Sequence, residues 1–321
     1  MKLYDLQGKR IWVAGHRGMV GSALVRRLAT TGVQLLTADR KSLDLRRQQE
    51  VEQWLRDNRP DAVFVLAATV GGIEANRTRP AEFLYDNFII AANIIHAASS
   101  LSVSKLMFLG SSCFYPRETE SPIREASLLT GPLEETNEWY AVAKIAGIKL
   151  CQAYRRQYGC DFISAMPTNL YGRGDNFDLA NSHVLPALLR KAHEAKEAGA
   201  GSIEIWGTGS PRREFLHVDD MADACVFLLK TYSGEEHVNV GSGEDITIAD
   251  LARLVCEVVG FRGGVTTDPS KPDGTPRKLM SGDKIASMGW KPSIDLRQGI
   301  EQVYREFLAG NVKAHTDIQR T

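Results

Sequence analysis

The sequence of 321 residues carries no net charge, because 39 Lys and Arg balance 39 Asp and Glu. Without a basic excess there is no broad positive field to gather nucleic acid or an anionic membrane, so an anionic ligand must be held by local arrangements. Cysteine is scarce: the five residues at 113, 151, 160, 225 and 256 show no CxxC or other ligand spacing. Neither a disulfide framework nor a zinc site is expected, and no metal is. No apolar run approaches the roughly 20 residues needed to span a bilayer. The opening residues, MKLYDLQGKRIWVAG, also lack the apolar core of a signal peptide. These absences predict a soluble cytoplasmic protein with neither nucleic-acid nor membrane partners.

What the chain does have is alternation. Short apolar, β-rich runs at 11–14, 34–38, 62–68, 105–110 and 161–165 alternate with longer segments whose apolar residues recur at helical spacing. Strands buried on both faces read as continuous apolar runs, and strand-helix alternation implies a parallel sheet with right-handed crossovers. The expected fold is α/β, a Rossmann-type doubly wound parallel sheet with a smaller α/β substrate domain. After residue 168 the rhythm breaks into a loop (NLYGRGDNFD), a helix (SHVLPALLRKAHEAKEAG), a strand (IEIWG) and the turn-rich TGSPRREFLHVDD. A strand (EHVNVGS), a helix opened by Thr247 and Asp250 as a capping box, and the basic loop DPSKPDGTPRK follow. The predicted division places residues 1–168 in the nucleotide-binding domain, with elements of 214–260 returning to it. Residues 169–213 and 261–310 form the substrate domain, and 311–321 a flexible tail.

IWVAGHRGMVGSALVRRL reads as strand, glycine loop and helix. Gly15 permits a tight turn, Gly18 a close approach of backbone to a pyrophosphate, and Gly21 the packing of helix on strand. A helix N-terminus offers free N–H groups and the positive end of a dipole to that anion. Gly15, Arg17, Gly18, Met19, Val20 and Gly21 are therefore the cofactor-binding candidates. The choice between NAD and NADP is expected at the end of the second strand, where an acid favours the ribose 2′-hydroxyl and an arginine the 2′-phosphate. There Asp39 and Arg40 stand side by side. Arg40 is a further cofactor-binding candidate, and Arg17, a second cation in the loop, tilts the expectation to NADPH, with NADH still open.

In GSSCFYP, residues 110–116, two hydroxyls and a thiol end the fourth apolar run. In NEWYAVAK, residues 137–144, Asn137 is a plausible N-cap, and Tyr140 and Lys144 are spaced to share one helix face, roughly 5–6 Å apart at Cβ. An ammonium near a phenol favours the phenolate and suits the tyrosine to acid-base work. Adjacent parallel strands would bring Ser111 to the same sheet edge.

The glycine loop, the serine and the YxxxK pair together resemble the extended short-chain dehydrogenase/reductase superfamily. More narrowly, AGHRGMVGSA, VGGI, FLGSSCFYP, AKIAGIKLC, MPTNLYG, NSHVLPALLR, REFLHVDDMA and SKPDGTPRK resemble the GDP-L-fucose synthase family, over residues from about 10 to about 305. The resemblance implies an epimerase and reductase acting on GDP-4-keto-6-deoxy-D-mannose with NADPH, as a homodimer. It implies that Cys113 and His183 exchange protons at C3 and C5, that Ser111 binds the C4 oxygen and that Tyr140 protonates it. Lys144 and His183 also fall among the implied cofactor contacts. For the GDP-sugar, Asn169 and either Arg190 or Lys191 are candidates, and family matching carries over Lys191, Trp206, Arg213 and Lys278.

Taken singly, these residues have plainer readings. A lone cysteine is usually a buried packing residue, a lone histidine a capping or packing one, and a lone arginine a solvated charge. Only their joint occurrence favours chemistry. The chain also departs from the family pattern at Thr69, where a lysine is common, at Trp139, where a proline is common, and in the ADRK end of strand two. Two rivals follow: a same-fold enzyme for another keto-sugar, such as a GDP-L-colitose synthase, and a non-catalytic dinucleotide sensor.

Overall fold

The computed structural model describes residues 3–179, 182–271 and 273–310, so the expected tail at 311–321 lies outside the described residues. The first half runs β1 (Arg10–Ala14), α1 (Met19–Leu28), β2 (Gln34–Leu36), α2 (Gln48–Asn58), β3 (Ala62–Val65), α3 (Ile73–Thr78), α4 (Pro80–Ser100), β4 (Lys105–Leu109), α5 (Glu138–Tyr158) and β5 (Phe162–Pro167). The remainder runs β6 (Asn169–Tyr171), α6 (Val184–Glu197), β7 (Ser202–Trp206), β8 (Arg212–His217), α7 (Val218–Thr231), β9 (Val238–Val240), β10 (Asp245–Thr247), α8 (Ile248–Val259), β11 (Gly264–Asp268), β12 (Arg277–Lys278), α9 (Asp283–Ser287) and α10 (Leu296–Leu308).

Six strands form one sheet in the order β2-β1-β3-β4-β5-β9, with every pair parallel. Successive side chains of a strand point to opposite faces. Trp12, Val63, Leu106 and Phe108 therefore pack against α2, α4 and α5, while Ile11, Phe64, Met107 and Ile163 pack against α1 and α7. The strand order turns around between β1 and β3, which is where open α/β sheets leave a crevice for ligands at their carboxyl edge.

A third cluster of apolar side chains unites α6, α8 and α10 with β7 and β8, including Leu189, Ile205, Phe215, Leu251 and Ile300. The span 214–260 thus does not return to the large sheet as one piece. α7 and β9 lie with that sheet, whereas the buried face of α8 packs in the third cluster. Two stretches read as loop and turn contain strands, β6 in NLYG and β8 in RREFLH. β8 pairs with β6, β10 and β12, so tertiary pairing imposes a strand on the polar residues Arg212, Arg213 and Glu214. The Thr247 cap forms as expected: its side chain accepts from the Asp250 amide at 3.0 Å and donates to the Asp250 carboxylate at 2.6 Å.

One glycine decides how closely α5 approaches the sheet. A Cβ on Gly147 would lie 2.4 Å from the Phe108 ring of β4. Only a residue without a side chain lets the helix press onto that strand, and this close seat sets the height of Tyr140 and Lys144 above the end of β4.

Candidate active site

The glycine loop follows β1 at the turnaround of the sheet. Gly15 has φ of +93° and its absent Cβ would fall 2.6 Å from the Ala67 amide nitrogen, so the loop abuts the chain leaving β3. A Cβ on Gly21 would fall 2.1 Å from the Gly15 carbonyl oxygen. Gly18 is the N-cap of α1, no side chain caps it, and the first turn holds no acid. Met19 and Val20 open the helix. The N-terminus therefore keeps its N–H groups and positive dipole end for an anion. These features fit the pyrophosphate of a dinucleotide. Beyond β2, the Asp39 carboxylate accepts from Arg17 Nη1 at 3.4 Å, and His16 Nε2 lies 3.4 Å from the same oxygen. Arg40 is exposed beside it.

At the next crevice the sequence candidates meet. After β4 the chain makes a 3-10 turn over Ser112–Phe114. The Cys113 thiol donates to Ser111 Oγ at 3.2 Å. Tyr140 and Lys144 face this turn from the first turns of α5; Lys144 is buried and donates to the Leu109 carbonyl at 3.0 Å. Its ammonium lies 5.0 Å from the centre of the Phe108 ring and 5.7 Å from that of Tyr140. Asn137 is the N-cap residue of α5, but its side chain makes no capping hydrogen bond.

Burial governs the protonation of this group. It lowers the Lys144 pKa to about 8, with the Cys113 charge opposing the fall. Burial raises the Tyr140 phenol well above its ordinary range, as does the Cys113 charge, while Ser111 offsets part of the rise. The expected lowering of the tyrosine pKa by the lysine is thus overturned, because desolvation outweighs the ion it was expected to feel. Burial also raises the Cys113 thiol, against the pull of Lys278, the Ser111 hydrogen bond and Lys144. The resting site holds a phenol, a thiol and a lysine whose charge is easily lost.

The remaining candidates lie on three elements. His183 precedes α6 as its N-cap residue without capping it; the ring is accessible to solvent, and the protein crowded around it lowers its pKa. Among the described residues no hydrogen bond or ion pair joins it to Cys113. Lys191, on α6, donates to the Glu204 carbonyl at 3.0 Å, and Asn169 donates to the Glu214 carbonyl at 2.8 Å. Trp206 is exposed at the end of β7, with the Lys271 ammonium 5.7 Å from its ring centre. Arg213 and Lys278 are register partners on β8 and β12. Lys278, expected only at the GDP end, lies within electrostatic reach of Cys113.

Two supports escaped the sequence reading. Glu214 is fully buried and accepts from the Gly243 amide at 2.8 Å and the Met280 amide at 3.0 Å, fastening the β12 segment beside Arg213. Beneath Cys113, the Tyr115 hydroxyl donates to Asn239 Oδ1 at 2.6 Å and contacts His237 Nε2 at 2.9 Å. Asn239 in turn donates to Glu125 and to the Ile123 carbonyl, both at 3.0 Å. The available signal was an asparagine inside the apolar run HVNVG, because a buried amide needs partners. Among the described residues no three His, Cys, Asp or Glu side chains group as a metal site. No described helix is long and apolar enough to cross a membrane.

The profile of the NAD dependent epimerase/dehydratase family matches residues 11–241. A GDP-L-fucose synthase of Sinorhizobium fredii is 59% identical over 309 residues, covering 96% of this chain and 98% of that protein. A GDP-L-colitose synthase of Yersinia pseudotuberculosis is 36% identical over 301 residues, covering 93% and 98%. The crystal structure of a GDP-L-fucose synthetase from Naegleria fowleri bound to NADP superposes with a TM-score of 0.88 at 29% identity, covering 97% of each chain. With a family profile over most of its length and a relative this similar end to end, the chain belongs to the NAD dependent epimerase/dehydratase family and, within it, to the GDP-L-fucose synthase family.

Proposed function

We propose that this chain converts GDP-4-keto-6-deoxy-D-mannose to GDP-L-fucose, by epimerisation at C3 and C5 and reduction at C4, with NADPH and in the cytoplasm. One observation carries the reading: a thiol, a hydroxyl, a phenol and a buried lysine gather at the end of β4, in the sheet that carries the glycine loop, with a second lysine on β12 within electrostatic reach of the thiol. A bound nicotinamide dinucleotide supplies the hydride for C4. Gly15, Gly18 and the start of α1 would hold its phosphates, and Lys144 its ribose.

The site residues carry the proton transfers. A ketone at C4 acidifies the hydrogens on C3 and C5. At each carbon a base removes the hydrogen and an acid returns one to the opposite face, so the centre inverts with no net change in protons. The neutral His183 imidazole is a competent base and the Cys113 thiol a competent acid, and after each exchange the roles are reversed. Lys278 and Lys144 steady the thiolate that forms. The enolate places negative charge on the C4 oxygen, where Ser111 and Tyr140 act as donors. In the reduction Tyr140 gives its proton to the same oxygen. A phenol with a raised pKa is in its protonated form for that step. One pair of donors thus serves both reactions.

For the nucleotide end, Arg213, Lys191 and Lys278 supply cations for the diphosphate, Trp206 a ring face and Asn169 an amide. The apolar groove between α4 and α5, lined by Phe88, Ala92, Gly147 and Leu150, is the proposed homodimer surface. The rival GDP-L-colitose reading is not favoured, since that relative is the more distant of the two.

The test is NADPH oxidation with GDP-4-keto-6-deoxy-D-mannose, followed by NMR of the product. Formation of GDP-L-fucose is expected. Oxidation yielding an unepimerised sugar would refute the roles of Cys113 and His183, and tight cofactor binding without turnover on any keto-sugar would favour the sensor.

A further inference from the structure

We infer that Asn239 is a positioning residue for the proton transfers, because from inside β9 it fastens the turn that carries Cys113 to the segment that carries Lys278. The inference rests on the proposed epimerisation and goes beyond it, since Asn239 acts only through its neighbours. Asn239 is completely buried in a strand whose other residues are apolar. A buried side-chain amide needs partners for both a donor and an acceptor. Its Oδ1 accepts from the Tyr115 hydroxyl at 2.6 Å, and its Nδ2 donates to the Ile123 carbonyl at 3.0 Å. Tyr115 closes the turn after Cys113, its own amide donating to the Ser112 carbonyl at 3.4 Å. Ile123 bonds the chain just after β12: its amide donates to the Leu279 carbonyl and its carbonyl accepts from the Ser281 amide, both at 2.8 Å. One side chain thus connects Tyr115, two residues after Cys113, through Ile123 to Leu279, the residue after Lys278.

The hydrogen bonds require an amide at this place. Tyr115 spends its one proton on Asn239, so it must accept from His237 Nε2, 2.9 Å away. Burial lowers the His237 pKa to about 4, so the ring is neutral and carries its proton on Nε2. An ionised carboxylate in place of the amide would have no donor for Ile123, and an aliphatic side chain would have neither group. The Glu125 carboxylate accepts from the Asn239 backbone amide at 3.0 Å and holds the strand in place. Ser111 leaves β4 ahead of the turn, and Tyr140 stands on α5. Loosening the Asn239 link should therefore slow proton exchange more than hydride transfer.

The experiment incubates the full chain with GDP-4-keto-6-deoxy-D-mannose in D2O, with NADP in place of NADPH, and follows deuterium entering C3 and C5 by NMR. NADPH oxidation and its product are measured separately. Tyr115→Phe keeps the buried ring and cuts only the link to the turn. It should slow deuterium entry about tenfold, leave the NADPH Kd unchanged and raise the share of unepimerised sugar in the reduced product. Asn239→Leu cuts both links and should act more strongly; if it does not fold, Tyr115→Phe decides alone. A purely structural role would lower deuterium entry and hydride transfer in equal measure. That result, or deuterium entry at the wild-type rate, would overturn the inference and leave the proposed function standing. No deuterium entry in the wild type would overturn the proposed epimerisation and the inference with it.

Discussion

At one end of the crevice, Arg17 and Asp39 pair in the open, with 70% and 54% of their side chains exposed. At the other, Lys144 is 4% exposed and faces a phenol and a thiol. Both places bring a cation to a group that carries or can take a negative charge, yet the physics differs. In water such a pair is screened and contributes about 1 kcal/mol or less. Inside, the loss of hydration exceeds the attraction between the groups, so each is driven toward its neutral form. Screening by solvent governs the exposed pair, and loss of hydration governs the buried group.

The sharpest test of that contrast is Tyr140→Phe, which removes the proposed C4 proton donor. The rate of NADPH oxidation should fall about 10³-fold or more while the dinucleotide Kd stays the same, and an undiminished rate would reject the assignment. Cys113→Ser should abolish normal product and leave only slow hydride transfer, so NMR should find unepimerised reduced sugar. If the usual sugar appears at the usual rate, the thiol is only structural.

Lys144→Met separates stability from function. It should lower turnover about 10²-fold and, by removing a buried charge, raise folding stability at pH 7 by about 1 kcal/mol. The sign follows from the depressed lysine pKa of about 8. Above that pH and below the ordinary lysine range, the unfolded chain keeps a proton that the folded chain has lost, so wild-type stability gains as pH rises. The advantage of the Met variant, read as a difference in denaturant midpoint, should therefore shrink through pH 8. An advantage that grew with pH would contradict a charged Lys144 at neutrality. The smallest effect belongs to the exposed end: added salt should weaken the Arg17–Asp39 pair and change the NADPH to NADH ratio by only a few-fold.

What the sequence disclosed follows the range of each signal. The glycine loop, the apolar strands and the Tyr140 to Lys144 spacing are local patterns, and a window of twenty residues reveals them. The meeting of Ser111 with Tyr140 required one further rule, that successive parallel strands lie side by side. The influence of Lys278 on Cys113 was out of reach, because it depends on the register of β12 against β8, and β8 itself is too polar to read as a strand. The direction of the tyrosine shift was misjudged for a related reason: pairing is visible in spacing, but desolvation depends on everything packed around the group.

The register of Lys278 with Arg213 also sets an order of events at the ribosome. Every residue that meets at Asp39 has been synthesised by Arg40, whereas the cleft around Cys113 lacks its second lysine until β12 emerges, late in translation. A chain that stopped short of that strand would carry the Arg17–Asp39 pair but lack the second lysine charge felt at Cys113. A strand made late in the chain thus completes the charge felt by the thiol.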